Sequence, residues 1–134
     1  MIGEAHAGLP AGTRVVGERD HHDGRFAGGR PVYVRELRWN GGPVSYDVYD
    51  AGTDACLTEG ESFDHYPTDA DLERVAEWVR AHPELAEDFE HNHEMYARRL
   101  AERYPVEPLL AVIGRAGRGE WTWERAYRVI YAAL

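Results

Sequence analysis

Lysine and glutamine are missing from this 134-residue chain, and all 15 of its basic side chains are arginine. Without lysine there is no Schiff-base former, no lysine general base and no phosphate-loop lysine, which removes several enzyme classes together. Cysteine occurs once, at Cys56, so no internal disulfide can form and a reducing compartment is favoured. No stretch approaches the roughly 20 consecutive apolar residues that span a bilayer. The opening MIGEAHAGLPAGTR has no early positive cluster followed by an apolar run, and is not read as a signal peptide. A cytoplasmic protein with no membrane partner is expected.

What is present suits a folded globule. Hydrophobic residues make up 43% of the chain and aromatics 11%, too much for a disordered tail. A chain of this length typically buries about two-thirds of its unfolded surface, so a core is feasible without metal or disulfide.

Charge is unevenly placed. The formal net charge is −9, made of −1 over residues 1–50, −11 over 51–95 and +3 over 96–134. The acidic middle repels phosphates and anionic lipid, so no nucleic acid partner is expected, and its field attracts basic partners. Two readings compete. Either the arginines of the C-terminal helices fold back and neutralise the acidic segment, or the segment faces a partner.

The chain reads as a single α+β domain over residues 1–134: a flexible tail over 1–12, a β-rich half over 13–59 and a helical half over 68–134. A short strand is predicted at 13–19, followed by a loop through DHHDGRFAGGR. The strongest local signal is PVYVRELRW, then NGGP, then VSYDVYD, two alternating runs around a turn. A four-residue loop would set Tyr33, Leu37 and Trp39 on one face with Val44, Tyr46 and Val48, leaving Glu36, Arg38, Ser45 and Asp47 opposite. Arg35 interrupts the apolar face, its stem expected inside and its head at the rim. A brief strand at 56–58 completes a small antiparallel meander of three to four strands.

From there the period becomes helical. Thr68 caps a helix whose stripe is Leu72, Val75, Ala76 and Val79, and which ends at His82-Pro83. A second helix is predicted from Pro83 to about Tyr104, with Leu85, Phe89, Tyr96 and Leu100 aligned. A short helix over 109–116 follows, and a last one capped by Thr122 aligns Trp123, Ala126, Tyr127, Ile130, Tyr131 and Leu134. Three to four C-terminal helices therefore cover the sheet. The βαβ alternation and G-x-G-x-x-G of a nucleotide-binding sheet are absent.

Residues able to carry chemistry are scattered. Glu90 and His93 have the Glu-x-x-His spacing of carboxylate-bridged metal sites, but no other helix supplies a second pair. On one continuous helix His91 and His93 would diverge by about 200°. Asp20-His21-His22-Asp23 with His65 forms a second group, without the spacings of a zinc site. Ser45 and Ser62 lack a G-x-S-x-G turn, and Cys56 reads as a small buried residue more readily than as a thiolate beside His65. No metal and no cofactor are predicted. The aromatics follow core periodicity except Trp78 and Trp121, which are candidate interface anchors.

These observations point to a small acidic, non-catalytic binding module of the inhibitor, immunity or adaptor type. It would present Glu61, Asp64, Glu84, Glu87, Glu90 and Glu94 to a basic protein partner. The alternative is a metal-dependent or acid/base enzyme using His65, His91 or His93 in a pocket between sheet and helices. A homodimer through Trp78 or Val129 is a third reading.

Overall fold

The turn between the two longest apolar runs decides how the sheet is faced. In the computed structural model, which describes residues 11–85, 92–104 and 107–134, Pro43 lies just before the second strand of that hairpin and already follows its pairing. Its carbonyl accepts from Trp39 N–H at 2.9 Å, leaving a three-residue turn, Asn40-Gly41-Gly42, in which both glycines have positive φ, 86° and 105°. The shortened loop shifts the register by one residue from the expected pairing. Tyr33 lies opposite Tyr49, Arg35 opposite Asp47 and Leu37 opposite Ser45, while Glu36 faces Tyr46 and Arg38 faces Val44. The predicted apolar and polar faces are thereby mixed, because period-two side chains exchange sides with a single-residue slip.

Three strands pair antiparallel in the order β1 (Val15–Ala27), β2 (Arg30–Trp39), β3 (Val44–Asp50). The first corrects the sequence reading. DHHDGRFA is strand, not loop, and is accommodated by irregularities in register between Val15 and Gly17 and between His21 and Arg25, which absorb its unpaired residues and bend the edge. Beyond β3, residues 55–63 run along the free edge without forming a full strand, touching it at the bridges Tyr49 to Cys56 and Tyr46 to Phe63.

β2 is buried on both sides, which a single apolar face did not anticipate. Val32 and Val48 join Leu57, Leu72, Val75, Ala76 and Val79 in one core cluster, placing α1 (Asp69–Arg80) across one face. Tyr33 and Tyr49 join Tyr96, Leu100, Leu109, Val112, Tyr127 and Ile130 in the other, contributed by α2 (His93–Arg103), α3 (Glu107–Gly117) and α4 (Trp123–Ala133). The protein is thus α+β, an N-terminal antiparallel sheet packed against C-terminal helices. Thr68 and Thr122 cap α1 and α4 as their sequences predict, the former in a capping box with Asp71. The long helix expected from Pro83 to Tyr104 is not continuous. Asn92 is non-helical, with φ −132°, and its side chain accepts from Met95 N–H to start α2 afresh. Among the described residues no helix is long and apolar enough to cross a membrane.

The two halves meet at Asp50, whose side chain is fully buried at the end of β3. It pairs with buried Arg30 at the start of β2, accepts from Tyr96 O–H of α2 at 2.9 Å, and accepts from Gly52 N–H and Thr53 N–H at 2.7 and 3.0 Å. One carboxylate therefore fixes the turn after the sheet and docks the helical group on it.

Candidate functional site

The segment that follows the β3 edge is held by hydrogen bonds at both ends. Leu57 N–H donates to Val48 carbonyl at 2.8 Å, and Phe63 and Tyr46 exchange backbone bonds of 2.9 and 2.8 Å. Between them the Thr58 and Ser62 hydroxyls donate to Oδ1 of Asp47, at 2.7 and 2.9 Å, and Asp47 is fully buried. This pinning lifts the short turn Thr58-Glu59-Gly60-Glu61, closed by Glu61 N–H on Thr58 carbonyl at 3.0 Å, and presents both glutamates to solvent.

Between that turn and α1 lies a cleft of about 200 Å³. Leu57, Phe63, Val75 and Trp78 form its apolar walls, and Glu59, Glu61 and Arg74 stand among its polar lining. Arg74 is already engaged by Asp71. Asp71 in turn accepts from Thr68 N–H and from His65 Nε2, both at 2.8 Å, and the Thr68 N–H above all holds its carboxyl down to about 2. His65 also contacts Asp64 through Nδ1 at 2.8 Å. The two carboxylates, Asp64 first, push the imidazole above its ordinary pKa.

Of the residues expected to form an acidic surface, Glu61 lines the cleft, Asp64 is exposed beside it and bound to His65, and Glu84 is exposed past the end of α1. Glu94 is exposed on α2 and pairs with Arg98 one turn on, at 3.5 Å, so it belongs to a separate, internally compensated surface. Glu87, Glu90 and His91 lie outside the described residues. Glu59, Glu73 and Glu77 were not among the residues expected on the acidic surface. All three are exposed, and with Glu61 and Glu84 they have no arginine partner among the described residues. The spacing of Glu73 and Glu77 against the buried positions 72, 75, 76 and 79 would have placed them on the solvent face of α1.

Among the described residues the histidines do not converge. His21 and His22 are neighbours on a strand and take different partners, His21 the carboxylate of Glu36 at 3.2 Å and His22 the Tyr104 hydroxyl at 3.1 Å with its ring stacked on Tyr33. His93 stacks on Tyr127 at 5.2 Å. Among the described residues no three His, Cys, Asp or Glu side chains are grouped so as to hold a metal. Cys56 bonds Thr58 Oγ1 at 3.7 Å, and burial pushes its thiol above the usual range, away from thiolate reactivity. Comparison with protein-family models, curated proteins and solved structures finds no match.

Proposed function

We propose that this protein is a small acidic binding module that presents the face formed by the 59–64 segment and the outer side of α1 to a basic protein partner. The observation that carries this reading is the group of exposed carboxylates, Glu59, Glu61, Glu73, Glu77 and Glu84, without a guanidinium partner among the described residues. Carboxylates left uncompensated on one side of a domain cost little in water and steer a cationic surface during encounter. The unpaired Cys56 fits a reducing, cytoplasmic setting.

Fluorescence anisotropy with a labelled arginine-rich peptide, and with its glutamate-substituted counterpart, tests the reading at about 0.02 and 0.3 M salt. The arginine peptide should bind saturably, weaken at least tenfold at the higher salt, and weaken further on Glu73→Arg with Glu77→Arg. Equal affinity for the glutamate peptide, or none for either, refutes it.

A further inference from the structure

Resting on that reading of the acidic face, we propose that the cleft between the 57–63 segment and α1 receives one arginine side chain of the basic partner. Its stem lies on Phe63 and Trp78 and its guanidinium is held by Glu59 and Glu61. The cleft joins two chemistries that an arginine alone satisfies together. Its walls are apolar and aromatic, and its lip carries two carboxylates that no cation of this chain occupies among the described residues. Arg74, the one basic residue in the lining among the described residues, is committed to Asp71 and leaves the lip acidic. An apolar occupant would strip water from Glu59 and Glu61 without replacing it. A lysine would bring charge but no planar group to stack on the indole or to fork between two carboxylates.

The molecule uses this contact internally. Trp121 carries the guanidinium of Arg125 at 4.0 Å and that of Arg115 at 5.3 Å, and Trp123 carries Arg98 at 4.5 Å. Trp78 has no such cation among the described residues. It stacks on His82 at 3.9 Å, packs in part against the core cluster under α1 and lines the cleft. It is also the tryptophan that core periodicity leaves over on α1, whose buried stripe is Leu72, Val75, Ala76 and Val79.

The test is an NMR titration of the full ¹⁵N-labelled chain, following the indole N–H of Trp78, assigned through Trp78→Phe. The titrants are acetyl-Gly-Arg-Gly-amide and its lysine and citrulline counterparts. The arginine peptide should shift the Trp78 resonance saturably, and citrulline should bind at least tenfold more weakly. Glu59→Gln with Glu61→Gln should weaken arginine binding about tenfold while the other indole resonances stay in place, showing an intact fold. Citrulline binding as well as arginine overturns the proposal. So does a Trp78 shift that appears only with rising protein concentration alongside a doubled mass, which would make a second copy the occupant. If the arginine-rich peptide still binds by anisotropy after Trp78→Leu and after the double Gln change, the anchor falls and the acidic-face reading stands. If no basic peptide binds the wild type, both fall.

Discussion

Replacing Arg30 by methionine removes the guanidinium from a carboxylate that has no access to water. Asp50 is fully buried and Arg30 nearly so, and the arginine donates to Oδ2, while Oδ1 takes Tyr96 O–H and the amides of Gly52 and Thr53. Losing one member of such a pair leaves an uncompensated interior charge, and the cost is about 3–5 kcal/mol, a large share of the 5–15 kcal/mol typical of whole domains. Asp50→Asn should also destabilise the fold, because it removes the carboxylate that Arg30 pairs with. The double variant separates pairing from simple loss of contacts. An asparagine carbonyl still accepts from Gly52, Thr53 and Tyr96, and methionine needs no partner, so Arg30→Met with Asp50→Asn should cost only about 1–3 kcal/mol, far less than the two single changes together. Urea unfolding followed by circular dichroism gives all four free energies. Additive losses, or an Arg30→Met variant within about 1 kcal/mol of wild type, would refute the argument that Asp50 and Arg30 stabilise the fold as a buried pair.

Further perturbations probe other joints. His65 is raised above its ordinary pKa by Asp64 and Asp71, so the stabilisation it brings is complete below the unfolded value near 6.5 and fades as pH rises through its higher folded value. The urea midpoint should therefore fall across neutral to mildly alkaline pH, and His65→Asn should flatten that slope. Asp71 works in the opposite sense, since a carboxyl held down to about 2 contributes above pH 4 and its contribution is lost as acid titrates it. Asp71→Asn should reduce the acid sensitivity seen in a pH series of the same measurement. Gly52→Ala would bring a Cβ to 2.7 Å from the buried Tyr96 ring, and overpacking of this kind should cost about 1–3 kcal/mol in urea unfolding. Thr122→Ala should remove the hydroxyl that accepts from Arg125 N–H at 3.1 Å and lower stability by about 1 kcal/mol, with Thr122→Asp largely restoring it.

Helix caps and stripes were the legible part of this sequence because they depend on neighbours within one turn. Thr68 before Leu72, Val75 and Val79, and Thr122 before Ala126 and Ile130, specify their helices locally. The hairpin was legible in kind but not in register, since one residue, Pro43, could belong to turn or strand, and only its carbonyl bond to Trp39 decides. β1 was hidden for the opposite reason. DHHDG has the composition of a loop, and its strand conformation comes from pairing with β2 across register irregularities that no local pattern encodes. The cleft was half visible. Trp78 stood outside its stripe, but Glu59 and Phe63 gain meaning only once the buried Asp47 pins the 58–62 turn to the sheet.

Whether a basic C-terminal third cancels an acidic middle depends on what lies closest to each arginine. In a helix the nearest available carboxylate is usually one turn away, and reaching across to another element costs side-chain freedom for little gain at an exposed site. The C-terminal arginines follow that economy. Arg98 turns to Glu94 and Trp123, Arg128 to Glu124 and Arg118 to Glu120, while Arg115 and Arg125 lie against Trp121. Arg103 instead crosses to Asp54. Glu59, Glu61, Glu73 and Glu77 are left on the opposite side of the sheet from α2, α3 and α4, on or beside α1, where Arg74 is held by Asp71 and Arg25 by Asp69. Among the described residues α1 and the helical group pack on different faces of the sheet, and Arg98, Arg118 and Arg128 meet acids of their own helical group, so Glu59, Glu61, Glu73 and Glu77 keep no guanidinium partner there.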